Sequence, residues 1–299
     1  MNDQQSQKQI NHKIGIIGIG MVGKPLERYF REVKGLKRGE DLFLYDINHK
    51  KFYTDDVNRA DIVFATVPTP NGLNGDYNLS AVESVVGMMQ GNKIVVVKST
   101  VPPGTTERLQ NEYPQHKILF NPEFLTESQA WSDMIKPDRQ IVGFTDKSID
   151  AAHVVLRLLP MAPFMSPWGS GYNKHMLTAT EAELAKLFGN AFFSWKVTFV
   201  NHLADTCEKL SADYENVRKA LGADYRIGMS HTDINHGNYR GFGGYCLPKD
   251  LDGLIAFLER IGMDKELFDT IRKRNNELLK RQGLEIGHVN SHIDVDDPL

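Results

Sequence analysis

Six short runs rich in β-branched and other apolar residues, KIGIIGIG, LFLYD, DIVFATVP, KIVVVKST, KILFNPE and QIVGF, recur through residues 13–144 with helix-forming stretches between them. That alternation, joined by short connections, predicts an α/β fold in which a parallel sheet is covered on both faces and wound in two directions. The pattern breaks at PMAPFMSPWGSGYN, residues 160–173, whose Pro, Gly and Ser content reads as a linker or a domain-edge loop. Beyond it, TATEAELAKLFGNAFFSWKVTFVNHLADTCEKL has no helix breaker but Gly189 and opens with Thr180 and Glu183 in capping-box spacing. A helix over about 180–210 would be roughly 45 Å long. Its apolar residues, Leu184, Leu187, Phe188, Phe192, Phe193, Trp195, Phe199, Val200, Leu203 and Cys207, cover more than one stripe. Such a helix is expected to touch its own domain and a second subunit, with Cys207 in the core. The expected division is a polar tail over 1–12, the sheet domain over 13–170, an all-helical domain over 171–283 with one long central helix, and a tail over 284–299.

Bulk composition narrows the partners. With 299 residues, 41% hydrophobic and 24% charged, the chain has the profile of an ordinary globular protein with room for two domains. A formal charge of -3 and the lack of any basic run argue against nucleic acid and for a small-molecule partner. The N-terminal MNDQQSQKQINHK has no apolar core of a leader, and runs such as IVVV at 94–97 are too short to cross a bilayer. Two cysteines make no disulfide framework, and no Cys/His spacing suits zinc, which fits a reducing cytoplasm and no metal.

The first strand run ends in IIGIGMVGKPL, which places Gly18, Gly20 and Gly23 in GxGxxG spacing between a strand and a helix. The second ends at Asp46, where a carboxylate can accept from an adenosine ribose. Together they predict a Rossmann domain binding a dinucleotide, with the pyrophosphate on backbone N–H groups near Met21 and Val22. A carboxylate repels a 2′-phosphate, so NAD is expected over NADP, although Lys50 and Lys51 stand nearby.

In GFGGYCLPKD, residues 241–250, glycines precede Cys246, and Pro248 reads as the first residue of a helix. A thiol there lies near the positive end of the helix dipole with Lys249 three residues on, and both favour thiolate. A free cysteine is also a common small buried side chain, so the stretch alone leaves nucleophile and packing residue both open.

Four more stretches, VPTP (67–70), KSTVPPGTT (98–106), NPEFLTE (121–127) and KLFGN (186–190), complete the set. In this order they resemble the UDP-glucose/GDP-mannose 6-dehydrogenase family, from about Lys13 to the helix after Asp250. The resemblance implies two successive NAD-dependent oxidations of a sugar C6 alcohol, with the aldehyde held on a cysteine between them. Cys246 matches that nucleophile, and Lys186 and Asn190, one helical turn apart, match the oxyanion-stabilising pair. Glu127 matches the base for thioester hydrolysis, and Thr100 and Asp250 match the water-holding residues. Pro68, Thr69, Ser99 and Thr100 match cofactor positions. Glu123, Phe124, Leu125, Lys186, Asn190 and Gly243 match substrate positions, and Arg226 matches an arginine that reaches the neighbouring subunit's substrate in a homodimer. Glu123 and Glu127 would share a face if EFLTESQAW starts a helix. Outside this constellation Lys186 reads as a solvated charge, Asn190 as an inward-packed amide and Arg226 as a surface arginine.

The chain also departs from the family. It is expected to lack the C-terminal domain that binds the uridine diphosphate end of the substrate, and Thr126 stands where a basic residue is common. The segment from Arg226 to the glycines is long, and its His231, His236, Tyr239 and Arg240 read as an ordinary loop or as a substitute grip on a diphosphate. UDP-glucose is the expected substrate. A single-step β-hydroxyacid-type dehydrogenase and a non-catalytic NAD-binding protein are the alternatives.

Overall fold

Side chains alternate across a strand, so a sheet covered on both faces needs apolar residues at every position. The structure, a computed structural model that describes residues 12–72, 74–171 and 174–289, shows this arrangement strand by strand. β1 (Ile14–Ile17), β2 (Leu42–Tyr45), β3 (Ile62–Ala65), β4 (Ile94–Val97) and β5 (Lys117–Phe120) pair in parallel in the order β2-β1-β3-β4-β5. Ile14, Ile16, Leu44, Phe64, Val96 and Leu119 fill one core, while Ile17, Phe43, Val63, Val97 and Phe120 fill the other. The first is closed by α1 (Gly23–Arg28), by α4 (Ala130–Ile135) and by α5 (Ile149–Leu158), through Leu26, Met134 and Val155. The second is closed by α2 (Ser80–Gly87) and α3 (Thr105–Glu112), through Val82, Val85 and Leu109.

One strand run behaves differently from expectation. QIVGF divides at Val142 into β6 (Arg139–Ile141) and β7 (Gly143–Phe144). β7 closes the main sheet antiparallel to β5, whereas β6 pairs with β8 (Phe164–Ser166) in a separate two-stranded sheet. The main sheet is thus parallel except at that edge.

The long helix α6 runs Ala179–Lys209, 31 residues, one residue earlier at each end than the sequence predicts. Its capping box lies at Thr178 and Glu181 and not at Thr180 and Glu183: Glu181 Oε2 accepts from Thr178 N at 2.7 Å, and Thr178 Oγ1 accepts from Glu181 N at 3.3 Å. Glu183 is drawn instead into the interior. The structure forms two compact units, the first of Asn78–Lys186 with the residues up to Thr69, the second of Pro70–Tyr77 with Leu187 onward. The division therefore falls inside α6, later than the linker at 160–173, because Ala179 and Ala182 belong to the core of the sheet unit.

The second unit contains the rest of α6, α7 (Tyr214–Gly222), α8 (Cys246–Arg260), α9 (Glu266–Arg281) and α10 (Ile286–Val289). Leu251, Leu254, Leu258, Ile271 and Leu279 form its buried apolar stripe on α8 and α9. The expected C-terminal tail is ordered in part, since Val289 O accepts from Gly244 N at 2.8 Å. The expected N-terminal tail lies outside the described residues save His12.

Gly143 lets α6 approach the sheet. A Cβ there would stand 2.7 Å from Ala182 Cβ and 2.9 Å from Ala179 Cα. Gly143→Ala is expected to lower stability by about 1–3 kcal/mol, read from the urea midpoint, and Ala182→Gly in the same chain to recover part of the loss. Equal midpoints for wild type and Gly143→Ala would show that the helix seat is loose.

Candidate functional site

The glycine loop after β1 is shaped by backbone contact. Gly18 has φ +92°, and a Cβ on it would lie 2.9 Å from Thr66 O, while one on Gly23 would strike Gly18 O. Gly20 faces open space, with nothing within 4 Å of its Cβ position. Helix α1 begins at Gly23 without a side-chain cap; Lys24 N donates to Gly20 O at 2.9 Å, Leu26 N to Val22 O at 3.4 Å, and Pro25 carries no N–H. Asp46, at the end of β2, is buried and accepts from Ile19 N at 2.8 Å and Asn48 N at 2.9 Å, with Lys51 Nζ at 3.3 Å. A carboxylate has room for about four donors, so one place remains for a ribose hydroxyl. Open space over Gly20 and an acceptor at the end of the next strand fit a dinucleotide. The loops after β3 and β4 are tied together, Thr69 Oγ1 donating to Thr100 O at 2.7 Å and Ser99 Oγ to Val67 O at 2.6 Å. Pro68 beside them is exposed.

Still within the first unit, Lys186 donates to Glu123 Oε1 at 3.0 Å, with the two side chains only 5% and 6% exposed. Its ammonium also lies 5.5 Å over the Phe124 ring. Glu123 also accepts from Leu125 N at 2.7 Å. This buried pair excludes the solvated-charge reading of Lys186. It also breaks the expected helical face: Glu123 precedes a 3-10 turn that starts at Glu127, where the glutamate is exposed. Thr126 remains extended there, and its N–H goes to Asp133 Oδ2 at 2.7 Å. Beneath the pair, buried Lys98 donates to Asn121 Oδ1 at 2.7 Å. Burial, helped by the charge of Lys186 and opposed by Glu123, pushes Lys98 down to about 8.

In the second unit Cys246 is half-buried and is the first residue of α8, two residues nearer the helix start than Pro248 suggested. Asp250, one turn on and fully buried, shares its face. Asn190 Nδ2 donates to Asp250 Oδ2 at 2.5 Å, while Tyr77 Oη at 2.8 Å and Lys249 Nζ at 2.5 Å both donate to Oδ1. Lys249 is therefore directed at Asp250. The loop before the thiol is clamped by Asn275, which accepts from Phe242 N at 2.8 Å and donates to Phe242 O at 2.9 Å.

Both units have counterparts among known proteins. The family model described as "UDP-glucose/GDP-mannose dehydrogenase family, NAD binding domain" matches residues 47–158, and its central-domain counterpart matches 180–277. The chain belongs to the UDP-glucose/GDP-mannose dehydrogenase family. A UDP-glucose 6-dehydrogenase of Rickettsia bellii is 28% identical over 99% of this chain and 64% of its own length. One of Pseudomonas aeruginosa is 35% identical over 72% of this chain and 48% of its own. The solved structure of a UDP-glucose dehydrogenase from Pyrobaculum islandicum superposes with a TM-score of 0.75 at 27% identity, covering 93% of this chain and 73% of that one. The chain thus spans just under two thirds of the length of the Rickettsia relative. Its sheet unit is the family's NAD-binding domain, and NAD is the cofactor the Gly20 and Asp46 geometry fits.

Other expected site and loop residues of this dehydrogenase-family chain have neighbours within the chain itself. Arg226 is exposed and pairs with Asp224 two residues away. Gly243 is approached by the chain's own Tyr239 and Val289. Arg240 binds Asn201 and Asp205 of α6, His231 stacks on Phe193 at 4.2 Å, and Tyr214 holds Thr232 O at 2.7 Å. Those contacts favour the loop reading of 227–240 over a diphosphate grip; the His236 side chain lies outside the described residues. Sequence reasoning missed Tyr77, Lys98 and Asn275, although Asn275 is the polar member of the buried stripe Ile271, Asn275, Leu278 and Leu279 on α9. It also missed that Glu183, fully buried, accepts from Gly104 N at 2.6 Å, Thr106 N at 2.9 Å and Thr106 Oγ1 at 2.6 Å. Glu183 thus caps α3 at the end of the loop that carries Ser99 and Thr100.

Burial outweighs those hydrogen bonds and pushes the Glu183 carboxyl up to about 7. The folded state then holds a proton at pH values where the unfolded glutamate, near 4.3, has lost it. Stability from this group is complete below about pH 4 and is lost as pH rises through 7, on the order of 3 kcal/mol in all. Melting curves of wild type and Glu183→Gln between pH 4.5 and 8 are expected to show wild type losing ground to the variant as pH rises. Parallel curves would place the carboxyl at its ordinary value.

Proposed function

We propose that this chain oxidises the C6 alcohol of a nucleotide sugar to the carboxylate in two NAD-dependent steps, with UDP-glucose giving UDP-glucuronate as the substrate of choice. The observation that carries the reading is the face of α8 that presents half-buried Cys246 one turn before Asp250, whose carboxylate Asn190 holds. Oxidation of an alcohol to an acid removes four electrons from one carbon, so the aldehyde must be held between steps. NAD, when bound, supplies the hydride acceptor for both oxidations. The Cys246 sulfur adds to the aldehyde carbon, and loss of a second hydride and a proton leaves a thioester. Water then attacks, the carbon–sulfur bond breaks, and the thiol returns with the sugar carboxylate released.

Lys186 and Asn190, one turn apart on α6, stabilise the oxyanion, and their ties to Glu123 and Asp250 fix their headgroups beforehand. Thr100 and Asp250 hold the hydrolytic water, and Glu127, exposed on its turn, is the base. Glu123 and the backbone of Phe124 and Leu125 bind the substrate. The assembly is a homodimer through α6, on which Phe188, Phe192, Trp195 and Phe199 form an exposed aromatic ladder, Phe192 being 54% exposed. A groove of about 850 Å³ lined by Trp195, Phe199, Leu267, Ile271 and Leu278 continues it. Arg226, paired with neighbouring Asp224 at the exposed surface, can exchange that partner for a substrate phosphate in the other subunit.

A panel of UDP- and GDP-hexoses with NAD is expected to give two NADH per sugar, and Cys246→Ser to stall before the carboxylate. One NADH per substrate with Cys246→Ser unaffected would favour the single-step reading, and NAD binding without turnover the non-catalytic one. By sedimentation, Phe192→Glu with Trp195→Glu is expected to convert a dimer to a monomer; a wild-type monomer would overturn the assembly.

A further inference from the structure

Residues 70–77 come from the middle of the sheet unit's sequence but belong to the helical unit. The segment folds back on itself, Asn71 bridging Tyr77 and Gly72 N donating to Asp76 O at 2.6 Å, and it fastens to α8 at several points. Asn71 Nδ2 donates to Lys249 O at 3.0 Å and Arg260 to Asp76 at 2.7 Å. Most intimate is the Tyr77 ring. A Cβ on Gly253 would lie 2.1 Å from Tyr77 Cε2, so the ring lies against the bare helix backbone at that glycine. Lys249 Nζ stands 4.5 Å over the same ring. Nothing in the proposed chemistry uses Tyr77, yet its hydroxyl is aimed at Asp250.

We propose that Tyr77 is a positioning residue that fixes the Asp250 carboxylate beside Cys246 and so sets the reactivity of that thiol. Two donors, Tyr77 and Lys249, occupy Oδ1, and Asn190 takes one acceptor place on Oδ2. One place on Oδ2 remains, in a direction fixed by the other three. Burial and the nearby charges of Asp250 and Cys246 raise the Tyr77 hydroxyl well above its usual range, so it stays a neutral donor. If the carboxylate loses that donor, its charge is less compensated and thiolate at Cys246 is disfavoured. For the function proposed above, on which this second consequence rests, a carboxylate free to turn no longer holds the hydrolytic water, and the thioester step slows.

Tyr77→Phe keeps the ring on Gly253 and removes only the hydroxyl. Alkylation of Cys246 by iodoacetamide at neutral pH, followed by peptide mass spectrometry, needs neither substrate nor cofactor. The expected result is an at least threefold slower rate in Tyr77→Phe, with no such change when the same substitution is made in the Asp250→Asn background. Gly253→Ala, which displaces the ring, is expected to shift the rate in the same direction. A Tyr77→Phe rate equal to wild type, or an equal slowing in the Asp250→Asn background, overturns the proposal. In turnover with the preferred nucleotide sugar, Tyr77→Phe is expected to lower kcat about tenfold with KM little changed and to accumulate acyl-Cys246, seen as added mass on the intact protein. A wild-type chain that turns over no nucleotide sugar would sink the functional reading, while the alkylation rates still decide the role of Tyr77.

Discussion

Helix α6 carries a glutamate, a lysine and an asparagine at positions 183, 186 and 190, all buried on one stripe. A buried polar group without a partner costs about 2–7 kcal/mol, and breaking a buried ion pair by removing one member about 3–5 kcal/mol. Each of the three therefore has to be met. The α3 N-terminus meets Glu183, Glu123 meets Lys186 and Asp250 meets Asn190. Those demands explain features that look unrelated: why α3 needs no capping side chain of its own, why Glu123 stays out of the helix that follows it, and why an aspartate lies one turn after the cysteine. A helix that merely spanned two apolar cores would impose none of them.

This also shows where reading the sequence succeeds. The parallel strands, the glycine loop with Asp46 and the span of α6 were legible, because each rests on a local period or on spacing within one element, whereas Lys186, Asn190, Cys246 and Asp250 entered through the family resemblance. Failures came where a local rule had a distant competitor. Thr180 and Glu183 have capping-box spacing, but Glu183 is worth more to the Gly104–Thr106 backbone than to its own helix start. Glu123 and Glu127 have helical spacing, but the pair with Lys186 and the bond to Leu125 N hold Glu123 in a segment outside any helix. QIVGF reads as one strand, yet its ends find partners in different sheets. Gly253 is a weak point of its helix by local propensity, yet the Tyr77 ring occupies the place of its missing side chain.

The strap at 70–77 shows how far such competition can reach. Tyr77 and Asp250 are 173 residues apart in sequence. Closure entropy grows only logarithmically, so reaching across that span instead of some 20 residues costs on the order of 2 kcal/mol. A hydrogen bond to a charged group contributes about 1.5–3 kcal/mol. Burying an aromatic ring adds about 1.5–3 kcal/mol more. The contact gains more than the detour costs, and most of the span is already closed by the folding of the sheet unit. A chain can therefore recruit a hydroxyl for the helix that carries Cys246 from a loop that, read locally, belongs to the sheet unit. What fixes Tyr77 in place is the missing side chain at Gly253 as much as the carboxylate it touches, so its counterpart in the sequence is an absence, which no pattern of charges or apolar residues signals.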